Sequence, residues 1–268
     1  MEYLSDLYFE LSNDDRLRIL GSLQTHPNTV TGLSRELDLT NQECSRHLSR
    51  LAEAKLTKRS PEGDYSITPY GVLSLELQRS QGFVAEHLDY FNTHAITGVP
   101  SGLLMRLNEL SGGVLVDDIM VIFHNIERMI KQAEDHIWSI TDQYVASTIP
   151  LAREAFKRGV TSRAIDLKGY QPAPELLEVV TPEDAETWHA SQADGRIEMR
   201  MLDEMDVFLW MSEKEVAVVS FPTVEGRFDY KGFTSRDEDA LRWCEELFHH
   251  HWERGEPKRE FSFFKART

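Results

Sequence analysis

Residues 40–54 read TNQECSRHLSRLAEA, and this stretch decides how the first part of the chain folds. Thr40 stands where an N-cap belongs, and Glu43 three residues on completes a capping box, which gives the helix a defined start. Cys44, Leu48 and Leu51 recur at helical spacing and form one apolar stripe. At about 100° per residue, Gln42, Arg46 and Ser49 fall opposite that stripe, with Ser45 and Arg50 beside them. The outward face offers an amide, hydroxyls and two guanidiniums, groups able to bond base edges or phosphates in a major groove. Taken alone, such a face would also suit an ordinary solvated helix, so the flanking sequence has to decide between the two.

Upstream, Ser12 is expected to open a helix with Asp14 and Asp15 in its first turn, and Thr31 to cap a shorter one whose face is Leu33 and Leu37. A tight turn through Leu39 leads into the 40–54 helix, which is the helix-turn-helix arrangement. Downstream, 56–59 and 65–68 are strand-like and flank the turn former Pro61-Glu62-Gly63-Asp64, a hairpin wing. The segment resembles the winged-helix regulators of the ArsR-like class, in which a helix of the form T/S-x-x-x-x-S-R-H-L-x-x-L-x-x-A-x-L reads DNA. Thr40, Ser45, Arg46, His47, Leu48, Leu51, Ala54 and Leu56 carry the match, within roughly residues 10–80. The resemblance implies that Gln42, Ser45, Arg46 and Ser49 face base edges while Arg50, Lys55, Lys58 and Arg59 contact phosphates. Thr40 and Asn41, at the helix start, join that DNA-facing set. Glu43 is better read as a cap than as a base contact. Metal-sensing members of the class use paired cysteines, and Cys44 has no neighbour at motif distance, so no metal site is expected.

The 268 residues, 41% of them hydrophobic, suffice for two domains with cores. No run of about 18 apolar residues exists, and the N-terminal MEYLSDLYFE is acidic where a signal peptide would be basic, so a cytoplasmic protein with no membrane partner is expected. Cys44 and Cys244, each in an amphipathic pattern, argue against a disulfide framework. The formal net charge of −16 opposes broad, nonspecific binding to phosphate. Its distribution is uneven. Residues 1–82 hold 9 Lys or Arg against 12 Asp or Glu, and between Gln42 and Ser60 the basic residues Arg46, Arg50, Lys55, Lys58 and Arg59 outnumber Glu43 and Glu53.

From Pro69 a helical stretch carries Val72, Leu73, Leu75, Leu77, Phe83, Leu88, Tyr90 and Phe91, more apolar surface than one small domain needs. It reads as a dimer contact or as the seam to a second domain, and a two-fold dimer would read two half-sites. A short helix at 103–110 ends at Gly112-Gly113, and Asp117 and Asp118 lead a longer one through Ala133. Strands are expected at 136–140, 160–167, 197–202, 207–211 and 216–221, with helices at 150–158 and 182–190 between the first three. That order indicates an α/β layer with a partly parallel sheet. Ser235 and Glu238 read as a second capping box, opening a helix whose stripe is Ala240, Leu241, Cys244, Leu247, Phe248 and Trp252 and which ends at Gly255 and Pro257. The run from Gly232 to Trp252, GFTSRDEDALRWCEELFHHHW, resembles the C-terminal end of archaeal regulators of the methanogenesis-regulatory type. That resemblance, over residues 95–255, implies a sensor-like domain related in fold to phospholipase D and to sugar-responsive TrmB regulators.

A phospholipase D enzyme needs H-x-K, and none of the ten histidines has Lys two residues later. Binding is therefore expected of the sheet, and no catalytic residue is assigned. His249, His250 and His251 point about 100° apart on a helix and cannot converge on one ion. Trp138, Trp188, Trp210 and Trp243 read as core. A ligand site in the sheet domain would lie at the carboxyl ends of the parallel strands, where Thr141, Asp142, Asp166, Lys168, Asp203 and Glu204 stand, unless these polar residues only solvate loops.

The sequence thus describes a two-domain α+β and α/β chain. Residues 1–80 form a winged helix-turn-helix, 81–134 a helical linker or dimerisation region, and 135–268 an α/β sensor or assembly domain of phospholipase D-like type without its catalytic motif. The expected function is sequence-specific transcriptional regulation by a homodimer on double-stranded promoter DNA, with a small-molecule effector and no cofactor. Two alternatives stand beside it. One is a phosphodiesterase-like enzyme with the winged helix as an interaction module, and the other is a nonspecific architectural DNA-binding protein.

Overall fold

The computed structural model describes residues 2–258; the stretch of the expected sheet domain beyond 258 lies outside the described residues. The chain divides into two compact units, Met1–Gly82 and Phe83–Thr268.

The first unit is built from α1 (Glu2–Leu11), α2 (Asp14–Thr25), α3 (Val30–Leu37), α4 (Asn41–Glu53), the hairpin β1 (Thr57–Arg59) and β2 (Tyr65–Ile67), and α5 (Pro69–Glu86), in which the division falls. Its core gathers one stripe from each helix: Leu11, Ile19, Leu20 and Leu23, Leu33, then Cys44, Leu48 and Leu51, closed by Leu56 and Tyr65. Helix α1 lies on the acidic N-terminal stretch and was not expected. It changes the reading of Ser12, whose hydroxyl donates to Phe9 O at 3.0 Å and so closes α1. The cap of α2 is Asn13, which accepts from Arg16 N. The expected Thr31 cap is also displaced. Asn28 and Tyr65 form an antiparallel bridge that holds the backbone extended up to Thr29, so Thr29 caps α3 by accepting from Gly32 N and Thr31 falls inside the first turn.

The second unit is an eight-stranded sheet in the order β10-β6-β5-β4-β7-β8-β9-β3, with helices on both faces. Its strands are β3 (Val114–Val116), β4 (His136–Thr141), β5 (Thr161–Leu167), β6 (Ile197–Leu202), β7 (Phe208–Ser212), β8 (Val216–Ser220), β9 (Gly232–Ser235) and β10 (Glu256–Pro257). β4, β5 and β6 run parallel, and every other pairing is antiparallel. The parallel strands follow from the helical crossovers between them, α9 (Thr148–Lys157) and then α10 (Pro174–Glu178) and α11 (Pro182–Ala193). Alternation along the strands sorts the side chains into two layers. Ile137 and Trp210 face α8 (Ile119–Gln132) and α9, while Ile140, Ile165 and Leu209 share a core with Trp243, Leu247 and Phe248 of α12 (Glu238–Arg254).

Three expectations need correction here. The stretch 81–134, expected as a helical linker or dimerisation region, is from Phe83 on part of the second unit: Phe83, Tyr90, Val99, Leu103 and Leu110 belong to the same core as Phe221, Phe233 and Trp243, because this apolar surface covers one face of the sheet. The helix expected at 103–110 is interrupted, α7 (Ser101–Leu104) giving way to a 3-10 turn at Leu107–Gly112. Ser235 does not cap α12, since it is held in the β8–β9 ladder opposite Val216. Asp237 caps the helix by accepting from Asp239 N at 3.0 Å. The helical stretch expected from Pro69 is divided, α6 (Leu88–Thr93) following α5 as a separate helix, and the short strands β3, β9 and β10 and the helix α10 add elements that the hydrophobic pattern did not resolve. No helix among the described residues is long and apolar enough to cross a membrane.

Candidate functional site

Helix α4 presents the first candidate surface. Thr40 accepts from Glu43 N at 3.2 Å and donates its hydroxyl to the Glu43 carboxylate at 2.7 Å, while that carboxylate accepts from Thr40 N at 3.0 Å. These bonds hold the Glu43 carboxyl below its ordinary value and commit both residues to the helix start. Asn41 is committed as well, its Oδ1 accepting from Ser34 Oγ at 2.7 Å, which ties α4 to α3 across the turn. That turn is made by Asp38, in the left-handed region at φ 56°, whose N–H closes α3 on Ser34 O.

Beyond the cap, Cys44, His47, Leu48 and Leu51 are buried, while Gln42, Ser45, Arg46 and Ser49 are exposed on the far side. Burial pushes the Cys44 thiol up and the His47 imidazole down, so both stand neutral inside the core. Ser49 spends its hydroxyl on Ser45 O. Arg46 has no ion-pair partner among the described residues, and neither do Lys55, Lys58 and Arg35, all exposed. Arg59 lies on the wing with its guanidinium over the Tyr65 ring at 5.7 Å. Lys55 follows the helix at φ 63°, the left-handed conformation that turns the chain from α4 into β1.

Arg50 is placed differently from the others. Its guanidinium forks onto Glu10 at 2.6 and 3.2 Å and lies 4.9 Å over the Phe9 ring, so in this conformation it holds α1 against α4 and is not free for phosphate. The sequence could not show this, because the partner sits on a helix the pattern did not reveal. Arg35, in the last turn of α3, was missed because Glu36 follows it in the chain; only the structure shows it exposed and making no ion pair among the described residues. Among the described residues of this unit, the arginines without an ion pair therefore lie on α3, α4 and the wing, whereas Arg16, Arg18, Arg50 and Arg79 are paired with Glu10, Asp15, Glu10 and Glu76.

In the second unit the six residues at the strand ends separate into two groups. Thr141 and Asp166 are register partners on β4 and β5 and are buried. Thr141 closes its strand by bonding both N and O of Gln143. Asp166 accepts from Tyr144 Oη at 2.6 Å and from Lys258 Nζ, and burial pushes its carboxyl up against the pull of those two donors. Asp142 accepts from Tyr230 Oη at 3.4 Å. Lys168, Asp203 and Glu204 stand apart on the surface, Lys168 paired with Asp203 at 3.0 Å and with Glu256 at 3.5 Å. The three consecutive histidines diverge: His249 meets the Trp138 ring edge-on, His250 is half-buried, and His251 is buried with Nδ1 on Leu247 O at 2.9 Å. Among the described residues no three His, Cys, Asp or Glu side chains are grouped to hold a metal ion.

Comparison with known proteins agrees with this division. Residues 11–59 match the helix-turn-helix domain family HTH_20, and residues 122–254 match the family of the middle domain of the methanogenesis regulatory protein FilR1. Among solved structures, the archaeal chromatin protein TrmBL2 is 19% identical, with 92% of this chain and 94% of that chain covered at a TM-score of 0.43. The phospholipase D family member Nuc from Salmonella typhimurium is 13% identical over 50% of this chain and 89% of its own, at a TM-score of 0.34. The O-methyltransferase NcsB1 of neocarzinostatin biosynthesis is 11% identical over 75% of this chain and 66% of its own, at 0.26. None of these three likenesses is close enough to carry an activity across. No curated protein matches. The two family matches fall on the two units already separated by their cores: the first is a helix-turn-helix of a DNA-binding regulator, and the second contains a segment similar to the FilR1 middle domain.

Proposed function

We propose that the protein is a sequence-specific transcriptional regulator that binds promoter DNA as a homodimer and answers to a small molecule bound in its second unit. The observation that carries the DNA-reading part is the outward face of α4, where Gln42, Ser45 and Arg46 are exposed and Arg46 makes no close ion pair among the described residues. Lys55, Lys58 and Arg59 stand on the chain that leaves this helix and give the phosphate contacts that set register without reading sequence. In a chain of net charge −16 this local basic surface confines attraction for DNA to one face of one unit.

Dimerisation is supported by the apolar surface of α1 and α5. Tyr3, Leu4 and Tyr8 on α1 and Tyr70, Leu73 and Leu77 on α5 are all exposed, and all but Tyr3 line a groove between the two helices. An exposed apolar patch of this kind marks an interaction site more often than a solvated surface, and a two-fold axis through it would present two copies of α4 to two half-sites. The second unit takes a binding role in this reading, with the polar cluster of Thr141, Asp142 and Asp166 beside its parallel strands.

The experiment is sedimentation of the full chain with and without an inverted-repeat fragment recovered from genomic DNA. A dimer that protects two half-sites one helical turn apart is expected. Leu73→Glu with Leu77→Glu should give a monomer that binds the fragment weakly. A wild-type monomer that protects a single site would refute the dimer.

A further inference from the structure

Arg50 lies one turn after Arg46 on α4 and shares its side of the helix, since residues four apart are neighbours on a helix surface. It is nonetheless engaged within the chain. Its guanidinium forks onto the Glu10 carboxylate at 2.6 and 3.2 Å and lies 4.9 Å over the Phe9 ring, so two side chains near the end of α1 hold it. The Glu10 side chain is 14% exposed and that of Arg50 38%. Phe9 and Glu10 lie just before the segment 11–59 that matches the helix-turn-helix family, so this clasp is an addition to the matched part of the unit.

Two observations decide what the clasp does. The first concerns strength. One arginine contact to a DNA phosphate contributes about fivefold to affinity near 0.15 M salt. Both bonds of the fork from Arg50 are charge-assisted, and a hydrogen bond to a charged group contributes about tenfold or more. Most of the Glu10 side chain is shielded from solvent, so salt screens the clasp less than it screens a phosphate contact. Arg50 therefore stays on Glu10 when α4 meets DNA. The second observation concerns Arg16. Its side chain is 7% exposed, donates to the carbonyl oxygens of Phe9 and Glu10 at 2.6 Å each, and stands 3.4 Å from the Glu10 carboxylate. Arg16 thus anchors the end of α1 through the backbone and gives Glu10 a second positive partner. Loss of the fork leaves α1 in place and sets Arg50 free.

We propose that Glu10 withholds Arg50 from DNA, an autoinhibitory contact in which a carboxylate of α1 takes the place of a backbone phosphate and sets the affinity of the α4 face below its maximum. The proposal rests on the DNA-binding reading of α4 and adds a control on its strength. Phosphate contacts carry no sequence information, so the clasp tunes affinity and leaves specificity to Gln42, Ser45 and Arg46. Helix α1 also presents Leu4 and Tyr8 to the groove it shares with α5, so one helix joins that apolar surface to the recognition helix.

The test uses the full chain and two duplexes of equal length, the fragment recovered from genomic DNA and a random-sequence duplex, titrated by fluorescence anisotropy over a salt series. Glu10→Gln keeps the shape of the side chain and both Arg16 bonds to backbone carbonyls, and it releases Arg50. It should tighten binding to both duplexes about fivefold per protomer near 0.15 M salt and steepen the slope of log K against log salt by about 0.9 per protomer. Glu10→Gln combined with Arg50→Ala has the net charge of the wild type and should bind within about twofold of it. A gain that persists in the double variant would assign the effect to lost repulsion and overturn the clasp, as would a folded Glu10→Gln variant that binds as the wild type does. The wild type supplies a readout that needs no variant. In side-chain NMR spectra the Arg50 Nε–H should stay protected from exchange, both free and with DNA, and loss of that protection on DNA would overturn the proposal. Normal preference for the recovered fragment with no gain in Glu10→Gln overturns the clasp alone. A gain on both duplexes with no preference between them supports the clasp and refutes the sequence-specific reading.

Discussion

Lys55→Gly separates what this residue does for the fold from what it does for DNA. Lys55 stands at φ 63°, where an L-residue pays about 1–2 kcal/mol for crowding its Cβ, and glycine pays nothing. Against that gain, glycine frees the unfolded chain at a cost of about 0.5–1 kcal/mol. The backbone bonds are kept, since Lys55 N still reaches Ala52 O at 3.1 Å. The variant should therefore be as stable as the wild type or up to about 1 kcal/mol more so. Its DNA binding should fall. A lost phosphate contact lowers the slope of log K against log salt by about 0.9, which weakens binding about fivefold near 0.15 M salt and about fifteenfold near 0.05 M. A homodimer loses two such contacts, and its slope changes by about 1.8. Fluorescence anisotropy on the best fragment over a salt series reads the slope, and thermal unfolding reads the stability. An unchanged slope in a folded variant would show that Lys55 does not contact phosphate. A variant less stable than the wild type would refute the backbone argument.

Three further outcomes follow from the same structure. Arg46→Ala should cut affinity for the preferred fragment by about 1–3 kcal/mol while leaving binding to bulk DNA nearly unchanged, whereas Lys58→Ala should weaken both alike; competition titrations compare them. Leu48→Ala, at a position with no exposed surface in the α4 stripe, should destabilise the first unit by about 2–5 kcal/mol in a denaturant titration. Glu213 gives an acid dependence. Burial alone would push its carboxyl up, but the N–H groups of Glu134 and His136, at 2.8 and 3.2 Å, outweigh burial and hold it below the ordinary glutamate value. A carboxyl depressed in the folded state contributes stability that is present above its unfolded pKa, about 4.5, and is lost as pH falls through the lower folded value. Glu213→Gln should flatten the acid limb of a melting-temperature profile below about pH 4.5, and an unaltered limb would contradict this assignment.

The parts of this fold that were legible in the sequence are those fixed by local patterns. The α4 cap, its buried stripe and its outward face follow from a dozen consecutive residues, and the parallel strands follow from the order of apolar runs and helices. What escaped reading depended on distant partners. Thr29 caps α3 in place of Thr31 because Tyr65, far along the chain, bridges to Asn28. Arg50 is engaged by Glu10 on a helix that the local pattern did not reveal. Short strands such as β3 and β9, three and four residues long, carry too little alternation to be seen until the sheet brings them together. Trp188 and Trp210 read as core from sequence, and packing buries Trp210 and half-buries Trp188.

The central claim is that α4 reads a defined DNA sequence. Recovery of genomic DNA bound to the native protein tests it most directly, followed by titration of the best fragment with the wild type and with Arg46→Ala. The account predicts discrete sites that share an inverted repeat, a steep preference for them over bulk DNA at fixed salt, and loss of that preference in the variant. Uniform recovery across the genome at several salt concentrations, or a variant that keeps the full preference, would contradict it.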